Sequence, residues 1–75
     1  MEMKIGQHAI RRYKSRIGGR TASRKRIEAI IKKEIANNLK RRTYNPKTGQ
    51  YRLETNKFIA VCEKGMVLTI LPPAN

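Results

Sequence analysis

Few residues of this chain could do chemistry, and His8 comes first among them as the only histidine in 75 residues. Imidazole is the side chain whose ordinary titration lies near neutrality, so His8 is a candidate general base or acid. Arg12 follows four residues later, one turn on if the segment is helical, with Arg11 and Ser15 beside it. An imidazole next to a guanidinium suits phosphodiester chemistry. The ring would take the proton of an RNA 2′-hydroxyl. The guanidinium would hold the scissile phosphate and offset the charge that builds in the transition state. The competing reading of His8 is a polar residue packed at a helix start.

This chemistry calls for no metal, and one Cys with one His cannot make an ordinary zinc set. No cofactor is expected either. Gly18-Gly19-Arg20 lacks the Lys-Ser/Thr ending of a phosphate-binding loop, and no paired-carboxylate or Ser/His/Asp arrangement stands out. Cys62 lies in the apolar run Phe58-Ile59-Ala60-Val61-Cys62 and reads as a buried small hydrophobe in a reducing compartment.

Charge supplies the setting. Lys and Arg number 18 against five Asp and Glu, a formal net charge of +13. Self-repulsion on this scale works against compaction, and its usual gain is attraction to a polyanion. Arg11, Arg16, Arg24, Lys25, Lys32, Lys33, Arg41 and Arg42 form the expected footprint on nucleic acid. A merely solvated helix face would mix signs, and here Glu28 and Glu34 stand nearly alone. RNA, DNA and an acidic protein all answer to such a charge, with RNA placed first. Arg52 is a further candidate phosphate contact, because strand alternation turns it away from Leu53. Tyr44 and Tyr51 flank a turn beside basic residues, where a ring either stacks on an unpaired base or fills the core. Tyr13 is assigned to the core.

The elements that must position these residues follow from two periods. Ala9, Ile10, Tyr13 and Ile17 fall on one side at helical spacing, opposite His8, Arg11, Arg12 and Ser15, and Gly18-Gly19 should end that helix. Thr21 or Ser23 should cap a second helix with the stripe Ile27, Ile30, Ile31, Ile35 and Leu39, running to about Leu39 or Lys40. The period then becomes two. A short strand around Arg42 to Tyr44 leads into the turn Asn45-Pro46-Lys47-Thr48-Gly49. Strands follow at Gln50 to Glu54, Phe58 to Cys62 and Met66 to Leu71, the last stopped by Pro72-Pro73. The Phe58 to Cys62 run reads as a central strand covered on both faces or at a crowded interface. The expected fold is α+β: one domain over residues 1–75, two N-terminal helices packed on a three- to four-stranded antiparallel sheet. No apolar stretch is long enough to cross a bilayer, and residues 1–14 lack a secretory leader's apolar core. A cytoplasmic protein with no membrane partner is expected.

The stretch Gln7-His8-Ala9-Ile10-Arg11-Arg12-Tyr13-Lys14-Ser15-Arg16-Ile17 resembles the His-Ala-x-x-Arg-x-x-x-Arg opening of small prophage and toxin-associated proteins related to BrnT. More distantly, those proteins are related to RelE-type ribonucleases of the barnase–RelE superfamily. The closing strand Leu68-Thr69-Ile70-Leu71-Pro72-Pro73 resembles theirs as well. The resemblance implies a metal-independent, toxin-like endoribonuclease of a kind often paired with an antitoxin, here an acidic one; the 2′-hydroxyl attack described above would leave 2′,3′-cyclic phosphate ends. The resemblance also allows members without activity. It implies a site in which Thr69 meets His8 and orients substrate, with Arg12 and Arg52 on the phosphate. On residue chemistry alone Thr69 is simply a good strand former. The second reading is a non-catalytic regulator of phage or mobile-element origin that binds nucleic acid or an acidic host protein through the same basic face.

Overall fold

The computed structural model describes residues 3–73. The first helix, α1 (Gln7–Arg16), buries Ala9, Ile10 and Tyr13 and leaves His8, Arg11, Arg12 and Ser15 in solvent. Its end is set where expected. The N–H groups of Ile17 and Gly18 both donate to the Tyr13 carbonyl, at 2.8 and 3.1 Å, and the chain turns away. Gly19 completes the turn at φ +75°, where a Cβ would stand 2.9 Å from Cδ1 of Ile27. Ser23, rather than Thr21, caps α2 (Arg24–Asn38): its Oγ accepts the Arg26 N–H at 3.2 Å.

The α2 stripe buries Ile27 and Ile31 and half-buries Ile30 and Ile35. Leu39, expected on that stripe, lies outside it. The helix stops at Asn38, and Leu39 takes extended backbone with 43% of its surface exposed. Glu34 sits on the buried side instead, 3.7 Å from the Lys57 ammonium.

Four strands form the expected meander: β2 (Arg41–Asn45), β3 (Gln50–Glu54), β4 (Ile59–Glu63) and β5 (Met66–Leu71), each antiparallel to the next. The purely antiparallel sheet needs correction. A fifth strand, β1 (Lys4–Ile5), runs parallel to β5, which makes the sheet mixed with order β1-β5-β4-β3-β2. Lys4 N–H donates to Gly65 O at 3.0 Å and Gly6 N–H to Val67 O at 2.8 Å. Two residues are too few to show a period, and the sequence therefore gives no sign of β1.

Both helices cover one face of this sheet. Leu53, Ala60, Cys62, Val67 and Ile70 point toward them and pack with Phe58, Ile27 and Ile31. Tyr13 joins this core, its ring edge-on to Phe58 at 6.1 Å between centroids. Strand β4 is thus central but covered by helices on one side only; on the other, Val61 is half-buried and Ile59 is 8% exposed. Among the described residues, no helix is long and apolar enough to cross a membrane.

Candidate nucleic-acid interface

Two separate candidate surfaces emerge, of which the first is the more basic. On α1, the four-residue spacing of His8 and Arg12 places them one turn apart, and with Arg11 and Ser15 they line an open hollow of about 330 Å³. Its lining holds no carboxylate, so the arginines face solvent with their charge uncompensated. Arg16, expected on nucleic acid, has a structural partner: its Nη1 donates to the Ile70 carbonyl at 3.1 Å. That bond fastens α1 to β5 beyond the two residues that β1 pairs.

The second surface is the uncovered face of the sheet. The strand register sets Thr43, Arg52, Val61 and Thr69 in one row across β2 to β5. Arg52 also lines a hollow of about 360 Å³ with Thr43, Tyr44, Asn45, Pro46, Gln50 and Val61. The four residues assigned to catalysis therefore divide. His8 and Arg12 meet in the helix hollow, whereas Arg52 and Thr69 share the sheet row, two strands apart. Thr69 lines neither hollow; with its neighbour Ile70 turned toward the helices, it lies on the uncovered sheet face, away from His8.

The two tyrosines differ. The Arg42 guanidinium lies over the half-buried Tyr51 ring, 5.3 Å from its centroid, a cation–π contact that occupies that ring face. Tyr44, paired with Tyr51 across the strands, is 62% exposed. All five residues of β2 are exposed, Arg41 and Arg42 included. On α2, Lys25 and Lys33 are exposed, Lys32 is half-buried, and Arg24 engages Glu28 at 3.3 Å. Lys32 and Arg24 line a further hollow of about 410 Å³ with Lys4 and Gln7. Only two ion pairs form among the described residues, Arg24–Glu28 and Lys57–Glu34, which leaves most of the positive charge free to act outward.

Cys62 is fully buried, its Sγ 3.7 Å from the Ala60 carbonyl. Burial pushes the thiol up to about 11, against a smaller opposite pull from Arg42. A thiol held protonated and out of reach is no nucleophile at neutral pH.

Sequence reasoning missed three polar residues of the sheet hollow, Thr43, Asn45 and Gln50, and the buried Glu34. Each left a signal. Asn45 and Gln50 bracket the turn at even spacing from Thr43 and Arg52, which puts all four on one sheet face. Glu34 follows Ile27 and Ile31 by seven and three residues, on the apolar stripe itself. No family model matches the chain, and no curated protein or solved structure matches it either.

Proposed function

We propose that this protein binds RNA, with the His8 hollow as the place where it cleaves the bound strand. The observation that carries the reading is the convergence of His8, Arg11 and Arg12 on one open hollow with no acidic side chain in its lining. Guanidinium groups in that setting favour a phosphate. The imidazole beside them gives RNA an advantage over DNA, since only RNA offers a 2′-hydroxyl for it to deprotonate. The 2′-oxygen would attack the adjacent phosphorus and the bond to the 5′-oxygen would break. The leaving oxygen would take a proton from the imidazolium or from water. The products are a 2′,3′-cyclic phosphate and a 5′-hydroxyl.

In this scheme Arg12 holds the phosphate, while Arg52 and Thr69 contact the strand away from the bond being cut. A cytoplasmic location and a toxin-like role of the BrnT or RelE kind go with the reading, and an acidic antitoxin would compete for the same basic surfaces. The second reading, binding without cleavage, is favoured by the make-up of the helix hollow. It has one imidazole and no second group suited to donate the proton to the leaving oxygen.

The deciding experiment incubates the protein and a His8→Ala variant with mixed single-stranded RNA in EDTA, with analysis of the product ends. Cyclic-phosphate ends made by the wild type and lost in a variant that still binds RNA establish cleavage at His8. Salt-sensitive retention of intact RNA by both proteins leaves a binding module. Equal loss of binding and turnover in the variant would sink the catalytic assignment of His8.

A further inference from the structure

We infer that the sheet-face hollow at the β2–β3 hairpin is a seat for one unpaired nucleobase, selective for bases with a carbonyl rather than an amine at pyrimidine C4 or purine C6: uracil or guanine. The inference rests on the RNA-binding reading and names what that binding selects. It uses a surface separate from the His8 hollow.

Shape comes first. The hollow has Val61 as its apolar floor and the exposed Pro46 ring at the hairpin end as its wall, while strand alternation turns the Tyr44 ring to the other sheet face with Tyr51. A planar ring suits such an apolar floor and wall, and this contact is open to any base. A paired base presents its hydrogen-bonding edge to its partner strand, so an unpaired one is needed.

The polar groups then choose among bases. Arg52 can only donate. It is exposed, and neither ion pair among the described residues involves it. Asn45 is oriented by the turn: its Oδ1 accepts the Lys47 backbone N–H at 3.0 Å. A backbone N–H cannot accept, so this bond identifies the oxygen and leaves the Nδ2 hydrogens as the group Asn45 offers. The Thr43 hydroxyl and the Gln50 amide adapt to either role. Donors therefore predominate. They match the carbonyl oxygens of uracil, or O6 and N7 of guanine, the pair that a guanidinium grips with two bonds. The exocyclic amines of cytosine and adenine would bring donor against donor.

The test is fluorescence anisotropy with end-labelled oligouridylate and oligocytidylate of equal length. These differ where it matters, a carbonyl against an amine at C4. Oligouridylate should bind about tenfold more tightly, the discrimination of one good hydrogen-bond pair. In Asn45→Asp the carboxylate still accepts the Lys47 N–H but replaces the donor with an acceptor. Both affinities fall with the added negative charge, and the uridylate-to-cytidylate ratio should drop to near one or below.

Equal, salt-sensitive binding of both strands by the wild type would overturn the selective seat while RNA binding stands. Absence of binding to either would overturn the RNA reading itself. Equally tight binding of the base-paired duplex would overturn the requirement for an unpaired base. Oligodeoxyuridylate separates the sources of the base: weaker binding than oligouridylate supports RNA, and equal binding overturns RNA as the source.

Discussion

Single side chains in this protein divide sharply between packing and presentation. Tyr13, Tyr44 and Tyr51 have the same ring, yet one packs on Phe58, one lies beneath Arg42 and one stands in solvent. Tyr44→Ala should leave the fold intact, since the ring is mostly exposed. It should weaken binding of an unpaired strand by about 1–3 kcal/mol, the worth of one base–aromatic stack. A titration in which Tyr44→Ala binds as tightly as the wild type would remove the ring from the interface. Cys62 makes a prediction about stability. Its thiol titrates near 9.0 when free of the fold and near 11 within it, so the unfolded chain releases the proton first. The thiol's contribution is fully present below pH 9.0 and is lost as pH rises toward 11. The loss is on the order of 3 kcal/mol. The proper measurement is the difference in urea midpoint between wild type and Cys62→Ala across that window. A constant difference would refute the assignment.

Elements show where sequence patterning is informative and where it fails. Both helices and four of the five strands were legible, because each carries at least one full repeat of its period. The errors sit at ends and edges. Leu39 fits the α2 stripe by spacing, yet backbone bonding stops at Asn38 so that Lys40 can donate to Glu54 O at 2.8 Å and open the sheet. Strand β1 owes its form to β5 alone. The expected meeting of His8 with Thr69 depended on which face of β5 Thr69 takes. The irregular register between Val61 and Cys62 leaves Leu68 unpaired, and a pattern read along one strand cannot see that shift. Two positions test the helix boundaries. Gly19→Ala forces a Cβ onto Ile27 at a positive φ and should cost about 1–3 kcal/mol in chemical denaturation. Ser23→Ala removes the α2 cap and should cost about 1 kcal/mol. An unchanged midpoint for Gly19→Ala would mean that the turn relaxes freely.

The whole molecule is a small core under a coat of mostly positive charge. That balance predicts a steep fall of RNA affinity with salt. Replacing Arg41 or Arg42 with Gln should lower the log–log slope by about 0.7 for each phosphate of a single strand that the side chain had neutralised. Slopes that do not move would place the strand away from β2. The charge itself was fully legible, since it needs only counting; its division between a helix hollow and a sheet face was not, since that depends on how the strands stack. The docking of α1 has one more consequence, for synthesis. This helix packs chiefly on β5, and among the described residues β1 pairs with β5 alone, so residues 4–16 are completed by residues 66–71. During translation the arginines of α1 therefore leave the exit tunnel on an undocked segment, beside ribosomal RNA, and stay undocked until residues 66–71 emerge. A newborn chain thus meets its first polyanion before it has finished folding. Arrested ribosome complexes should show α1 open to protease up to Gly65 and protected once β5 has cleared the tunnel.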